Sequence, residues 1–137
     1  MKIKLLNAIL LIGLMLSGCA DHNQYMDELT YKQLTKIGHS DDILLVYYFD
    51  GDCSMCLAKV KAIEKYTSAA KSGLSPVFIA KTMNPQVMHF NLAQLNVKSA
   101  VYQERHNEFE KAIVFNKITK INPKRVVTEF NEAEIAQ

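Results

Sequence analysis

Apolar residues along this chain occur in two textures, unbroken runs and helically spaced sets, and the two alternate. Ile43 to Phe49 is a continuous run rich in branched and aromatic side chains, which predicts a strand buried on both faces. Behind it, Leu57, Val60, Ile63, Glu64, Tyr66, Ala69 and Ala70 recur among Lys59, Lys61, Lys65 and Lys71, the pattern of a long amphipathic helix closed by Gly73. Pro76 to Ala80 predicts a second strand. Val87, Phe90, Leu92 and Leu95 predict another helix, with Asn84 as its cap and Pro85 at its first position. Ahead of the first strand, Tyr25, Met26, Leu29, Leu34 and Ile37 suit a helix ended by Gly38. Val97 to Tyr102 reads as a third strand, Phe109 to Phe115 fits either element, and Arg125 to Phe130 reads as a last strand. This order predicts an α/β domain with a mostly parallel central sheet and helices on both faces. In such sheets the site lies beyond the carboxyl ends of the strands.

The N-terminal segment has a different character. Lys2 and Lys4 precede an apolar core from Leu5 to Leu16, which is too short to span a bilayer and suits the core of a signal peptide. Leu16-Ser17-Gly18-Cys19 then resembles the lipobox of bacterial lipoproteins. That resemblance implies a lipoprotein signal peptide at 1–18, lipidation of Cys19, a lipidated tether at 19–26 and a folded domain at 27–137. It also implies a bacterial cell envelope location with a lipid anchor. Charge follows the same division. The chain has 16 basic and 14 acidic residues; without Lys2 and Lys4 the balance is near zero, which gives no electrostatic case for nucleic acid. Lys117, Lys120, Lys124 and Arg125 form a local basic cluster that reads as solvated surface.

The chain has three cysteines. With Cys19 carrying lipid, Cys53 and Cys56 remain as a self-contained pair, placed just after the first strong strand and at the start of the next helix. A helix start favours thiolate through its unpaired amides and its dipole. Three chemistries are open to the pair. It is a redox-active dithiol, a structural disulfide whose small loop contributes little by chain entropy, or part of a metal site. Zinc would require two more ligands, whereas His22, His39, His89 and His106 are scattered. One histidine joining the two thiolates would suit Cu(I). Asp50 and Asp52 flank the pair as anions that oppose thiolate formation, and Asp52 also reads as the helix cap. Met55 reads as a docking or packing residue, and Tyr47, Tyr48 and Phe49 as strand packing.

With strand Ile43–Phe49, the Cys53-Ser54-Met55-Cys56 segment and strand Pro76–Ala80 in place, the chain resembles thioredoxin-fold proteins. The nearest likeness is to the lipid-anchored or membrane-anchored thioredoxin-like proteins of the bacterial envelope. Tyr102 to Phe109 resembles an extra segment those proteins carry. The resemblance implies a thiol-disulfide oxidoreductase with Cys53 as attacking thiolate and Cys56 as resolving cysteine. It implies no cofactor beyond the Cys53–Cys56 disulfide, and as partners envelope thiols or disulfides and a membrane electron donor. It further implies a cis-proline facing the cysteines, for which Pro123 is the candidate. The chain departs from that family in three ways. Asp52 replaces a common tryptophan, Ser54-Met55 replaces Gly-Pro, and only Asn131 to Gln137 follow Phe130. Either the closing hairpin strand and helix are curtailed, or Ile113–Ile118 pairs with Val126–Phe130 as the hairpin and Pro123 falls in a turn. Asp50-Gly51-Asp52-Cys53 with Cys56 also resembles the DCC family of thiol-disulfide oxidoreductases, which implies the same chemistry. A lipid-anchored scaffold with a structural disulfide and a Cu(I) metallochaperone are the alternatives.

Overall fold

The computed structural model describes residues 24–38, 42–69 and 73–136. The signal peptide, Cys19 and most of the expected tether lie outside the described residues, as do His22 and His39. Among the described residues the elements run β1 (Gln24–Tyr25), α1 (Glu28–Gly38), β2 (Ile43–Asp50), α2 (Ser54–Ala69), β3 (Leu74–Lys81), α3 (Pro85–Gln94), β4 (Val101–Gln103), β5 (Ile118–Ile121) and β6 (Val126–Glu129). A short 3₁₀ turn, Glu132–Glu134, follows.

The strands form one sheet in the order β1-β6-β5-β2-β3-β4. It is mixed rather than mostly parallel. β2, β3 and β4 run parallel, while β5, β6 and β1 add antiparallel neighbours on the other side of β2. The long apolar run of β2 therefore lies at the centre, paired on both edges and covered on both faces, and six of its eight residues are buried. Full burial of each such side chain contributes about 2 kcal/mol.

Alternation along β2 divides the core in two, because successive side chains point to opposite faces. Leu45, Tyr47 and Phe49 pack with Leu57, Val60 and Ile63 of α2 and with Met88 and Leu92 of α3. Leu44, Val46 and Tyr48 pack with Leu34 of α1 and with Phe109 and Ile113. Helices thus cover both faces in three layers, as expected.

Four expectations are corrected. Tyr25 is not helical; it pairs with Val126 in β1, the Met26 amide donates to the Arg125 carbonyl at 2.9 Å, and Met26 is buried. Tyr25 and Met26 of the expected tether thus belong to the fold, and Asp27 is the cap that starts α1, its carboxylate accepting from the Thr30 amide at 2.9 Å. The third strand begins at Val101 rather than Val97, since the Lys98 and Ser99 amides are drawn to the Glu64 carboxylate, each at 2.6 Å, and not to a ladder. Phe109 to Phe115 is neither helix nor strand; it is a series of turns that buries Phe109 and Ile113.

The fourth concerns Pro123. The described residues contain no cis peptide bond, and Pro123 lies in the β5–β6 turn. That turn closes through Asn122, whose carbonyl accepts from Arg125 at 2.8 Å and whose side chain accepts from Val126 at 3.0 Å. The hairpin alternative was thus the closer one, with its first strand at Ile118–Ile121 instead of Ile113–Ile118. Past Phe130, Ile135 packs back onto the core.

Candidate active site

The cysteines lie at the carboxyl end of β2, where the chain turns into α2. Gly51 makes the turn tight. Its amide donates to the Lys81 carbonyl at 2.7 Å, and a Cβ there would stand 2.5 Å from the Met88 sulfur. Cys53 immediately precedes the first helical residue, and its carbonyl accepts from the Leu57 amide at 3.1 Å. Its sulfur accepts from the Cys56 amide at 3.3 Å. Cys53 therefore occupies the N-cap position and satisfies one of the helix's unpaired amides with sulfur.

That placement corrects the role expected of Asp52. Its carboxylate turns away from α2 and accepts from the Thr82 hydroxyl at 2.6 Å and the Met83 amide at 2.8 Å. These bonds hold it below the usual carboxylate range, the Met83 amide contributing most. Asp52 ties the cysteine turn to the β3–α3 loop. Asp50 supports the turn from the other side. Its carboxylate accepts from the Asp52 amide at 2.9 Å, and its own amide donates to the Asn116 side chain at 3.3 Å.

The two cysteines are free thiols, both half-buried, in different surroundings. Cys56 packs against the α2 side of the core. A hydrogen bond from the Cys56 thiol lowers the Cys53 pKa, and the Cys56 amide lowers it further, although burial and the Asp50 charge oppose them. Burial raises the Cys56 pKa, and the hydrogen bond it gives to Cys53 raises it further. The two thiols are thus biased in opposite directions, Cys53 toward the thiolate and Cys56 toward the thiol.

Residues outside the motif complete the site. Tyr47, assigned to packing on sequence grounds, belongs to the cluster against which Cys56 packs; burial raises the Cys56 pKa and the Tyr47 hydroxyl opposes that rise. Asn116 stands in the left-handed region at φ 61°, which asparagine tolerates, and donates its amide to the Tyr48 carbonyl at 2.7 Å. Asn116 and Lys117 directly precede β5. Thr82 is the third, through its bond to Asp52. Tyr47 had one signal in the sequence, a polar tip inside an otherwise apolar run. Asn116 and Thr82 had none, because sequence-distant contacts define their roles. Met55 and Met83 are strongly exposed beside the turn.

No group of three or more His, Cys, Asp or Glu side chains suited to a metal occurs among the described residues. His89 and His106 lie on the surface. A polar groove of about 640 Å³ reaches the site through Lys59 and Asn116, but its lining does not include either cysteine.

No family model matches the sequence, and no curated protein matches it. Solved structures do match. The chain is similar to a secreted Mycobacterium tuberculosis disulfide oxidoreductase homologous to E. coli DsbE, with TM-score 0.56 and 12% identity, covering 71% of this chain and 82% of that one. It is similar also to the thioredoxin domain of a thiol-disulfide oxidoreductase from Bacteroides vulgatus, with TM-score 0.58 and 12% identity over 74% of this chain and 78% of that one. The fold is therefore thioredoxin-like, and a pair of nearby cysteines stands at the end of its central strand.

Proposed function

We propose that this protein is a thiol-disulfide oxidoreductase of the bacterial cell envelope, lipid-anchored through Cys19. The observation that carries the reading is the unequal pair at the mouth of α2: a Cys53 sulfur that accepts the helix amide, and a Cys56 thiol held against the core. The Cys53 thiolate attacks a partner disulfide. A Cys53–partner S–S bond forms, the partner's own S–S bond breaks, and the departing partner sulfur leaves as thiolate and takes a proton from water. Cys56 then loses its proton to solvent and attacks the Cys53 sulfur. The Cys53–Cys56 bond forms, the mixed disulfide breaks, and the second partner thiolate departs. The partner has gained two electrons and the protein has lost two, which a membrane electron donor would return. No cofactor beyond this disulfide is required.

The envelope setting draws support from the lipobox-like segment and from the secreted nature of one structural relative. No helix among the described residues is long and apolar enough to cross a membrane, so anchoring in this reading rests on the lipid.

The test is reduction of insulin disulfides by the dithiothreitol-reduced protein in detergent. Cys53→Ser should reduce turnover by at least about a thousandfold, to background, by removing the nucleophile. Cys56→Ser should accumulate a mixed disulfide visible on non-reducing gels. A Cys53→Ser protein with undiminished turnover would overturn the reading.

A further inference from the structure

We propose that Asp52 is a positioning residue for the attacking cysteine, its carboxylate joining the cysteine turn to the β3–α3 loop and so holding the Cys53 sulfur over the first amides of α2. The inference rests on the oxidoreductase reading and deepens it, giving a task to a residue that the Cys-x-x-Cys motif does not contain.

Both carboxylate oxygens of Asp52 are engaged, and both by the same segment. Oδ1 accepts from the Thr82 hydroxyl at 2.6 Å and Oδ2 from the Met83 amide at 2.8 Å. The Thr82 oxygen in turn accepts from the Asn84 amide at 3.1 Å, and Asn84 caps α3. One carboxylate thus links the starts of two helices, α2 through Cys53 and α3 through Asn84. The preceding residue is fixed to the same strand end, since the Gly51 amide donates to the Lys81 carbonyl at 2.7 Å. The Asp52 amide donates to the Asp50 carboxylate at 2.9 Å, so Asp52 is held through main chain and side chain at once. Cys53 follows directly, and its sulfur accepts from the Cys56 amide at 3.3 Å. That bond favours the thiolate only while the N-cap geometry lasts, because hydrogen bonds weaken steeply with misalignment.

Charge alone predicts the opposite effect. A carboxylate one residue before a cysteine opposes its ionisation, so its removal would favour thiolate. Here the Asp52 oxygens turn to the β3–α3 loop, where two donors take up their charge. Asp50 is the carboxylate whose charge opposes ionisation of both cysteines. The remaining titratable side chain at this strand end, Lys81, is turned to Glu110 at 3.3 Å. Position and charge therefore give opposite signs for the loss of Asp52.

The experiment alkylates the reduced full chain in detergent with iodoacetamide across a range of pH and reads the rate at the Cys53 peptide by mass spectrometry. Asp52→Ala removes tie and charge together. Asp52→Asn removes the charge but keeps the tie, its oxygen accepting from the Met83 amide and its nitrogen donating to the Thr82 oxygen. Asp52→Ala should titrate Cys53 at higher pH and slow alkylation about fivefold at pH 7, whereas Asp52→Asn should stay within about twofold of the native rate, a difference of the order of one hydrogen bond to a charged group. A loss of packing alone would lower the folded fraction without moving the Cys53 titration. Thr82→Val leaves the carboxylate in place and should move the titration the same way by a smaller amount, which supplies the test if Asp52→Ala folds poorly.

Faster alkylation in both Asp52 variants would assign the residue to charge and overturn the proposal. Insulin turnover by the same preparations keeps the two claims apart. A native chain without turnover overturns the oxidoreductase reading, whatever the titrations show. A native chain with turnover, and a Cys53 titration unmoved in Asp52→Ala and Thr82→Val, overturns the positioning role alone.

Discussion

Tyr47 and Tyr48 are neighbours in sequence, almost identical in burial, and opposite in employment. Strand alternation sends the first toward α2, into the cluster against which Cys56 packs. It sends the second to the other face, where its hydroxyl donates to the buried Glu104 carboxylate. Glu104 also accepts from the Phe109 amide at 2.8 Å, so one carboxylate fastens the irregular segment after β4 to the central strand. The same segment leads to Asn116, which reaches back to the carbonyl of Tyr48 and to the amide of Asp50. One face of β2 adjoins the cysteine helix, and the other holds the loop that borders the cysteine turn. The same side chain does two jobs according to which partner the sheet places above it.

The division is most exposed to a change at Glu104. Glu104→Ala leaves a buried hydroxyl and a buried amide without their acceptor, at about 1–3 kcal/mol for each. We expect a loss of about 3 kcal/mol in urea unfolding at pH 7, while the folded fraction keeps its insulin disulfide turnover within about twofold. If stability falls and turnover per folded molecule also drops tenfold, the two faces are coupled through Asn116 and the division is wrong.

Tyr48→Phe asks a finer question of the same face. It removes one donor from Glu104 and should cost about 1–2 kcal/mol near neutral pH. Its pH dependence distinguishes it from ordinary packing loss. Burial first, and then the bond to Glu104, push the Tyr48 hydroxyl from 10.0 up to about 12, against the opposing pull of Lys81. The folded state therefore holds a proton that the unfolded chain gives up above pH 10. This contribution is fully present below pH 10 and is lost as pH rises toward 12. Wild-type stability should decline across that window, and Tyr48→Phe should decline less steeply. Parallel curves would remove Tyr48 as the cause.

What the sequence made legible follows the same line between local and distant causes. β2, α2, β3 and α3 were readable because each carries its own signal: an apolar run, a helical stripe with lysines, a second run, and the Asn84-Pro85 start, confirmed by the Asn84 side chain accepting from the Val87 amide at 3.2 Å. The cysteines were placed correctly for the same reason, since strand end and helix start adjoin in sequence. Errors arose where a distant group took an atom that local propensity had assigned elsewhere. Glu64 took the amides of Lys98 and Ser99 and delayed β4; the Thr82 hydroxyl and Met83 amide took the Asp52 carboxylate and left capping to Cys53. Pro123 was read through the family resemblance, but Asn122 had already organised a hairpin turn there. Glu104 gave no warning, as a glutamate near a strand end is ordinarily solvated.

The smallest expected effect tests whether the charge beside the cysteines is tuned or incidental. Asp50 is the anion that opposes ionisation of both cysteines, as the weakest of the influences on each. Asp50→Asn removes that charge but keeps an oxygen to accept from the Asp52 amide, so the turn should hold its shape. Less opposed, both thiols should ionise at lower pH. At pH 7 more Cys53 would be thiolate, and its alkylation by iodoacetamide should quicken about two- to threefold, a gain limited because a less basic thiolate is also a weaker nucleophile. The gain should shrink in high salt, where a half-buried charge is partly screened, and vanish above the titration of Cys53. Slower alkylation would mean that Asp50 shapes the turn more than it charges it. The same substitution should leave urea unfolding near its wild-type midpoint, because the retained side-chain oxygen still accepts from the Asp52 amide.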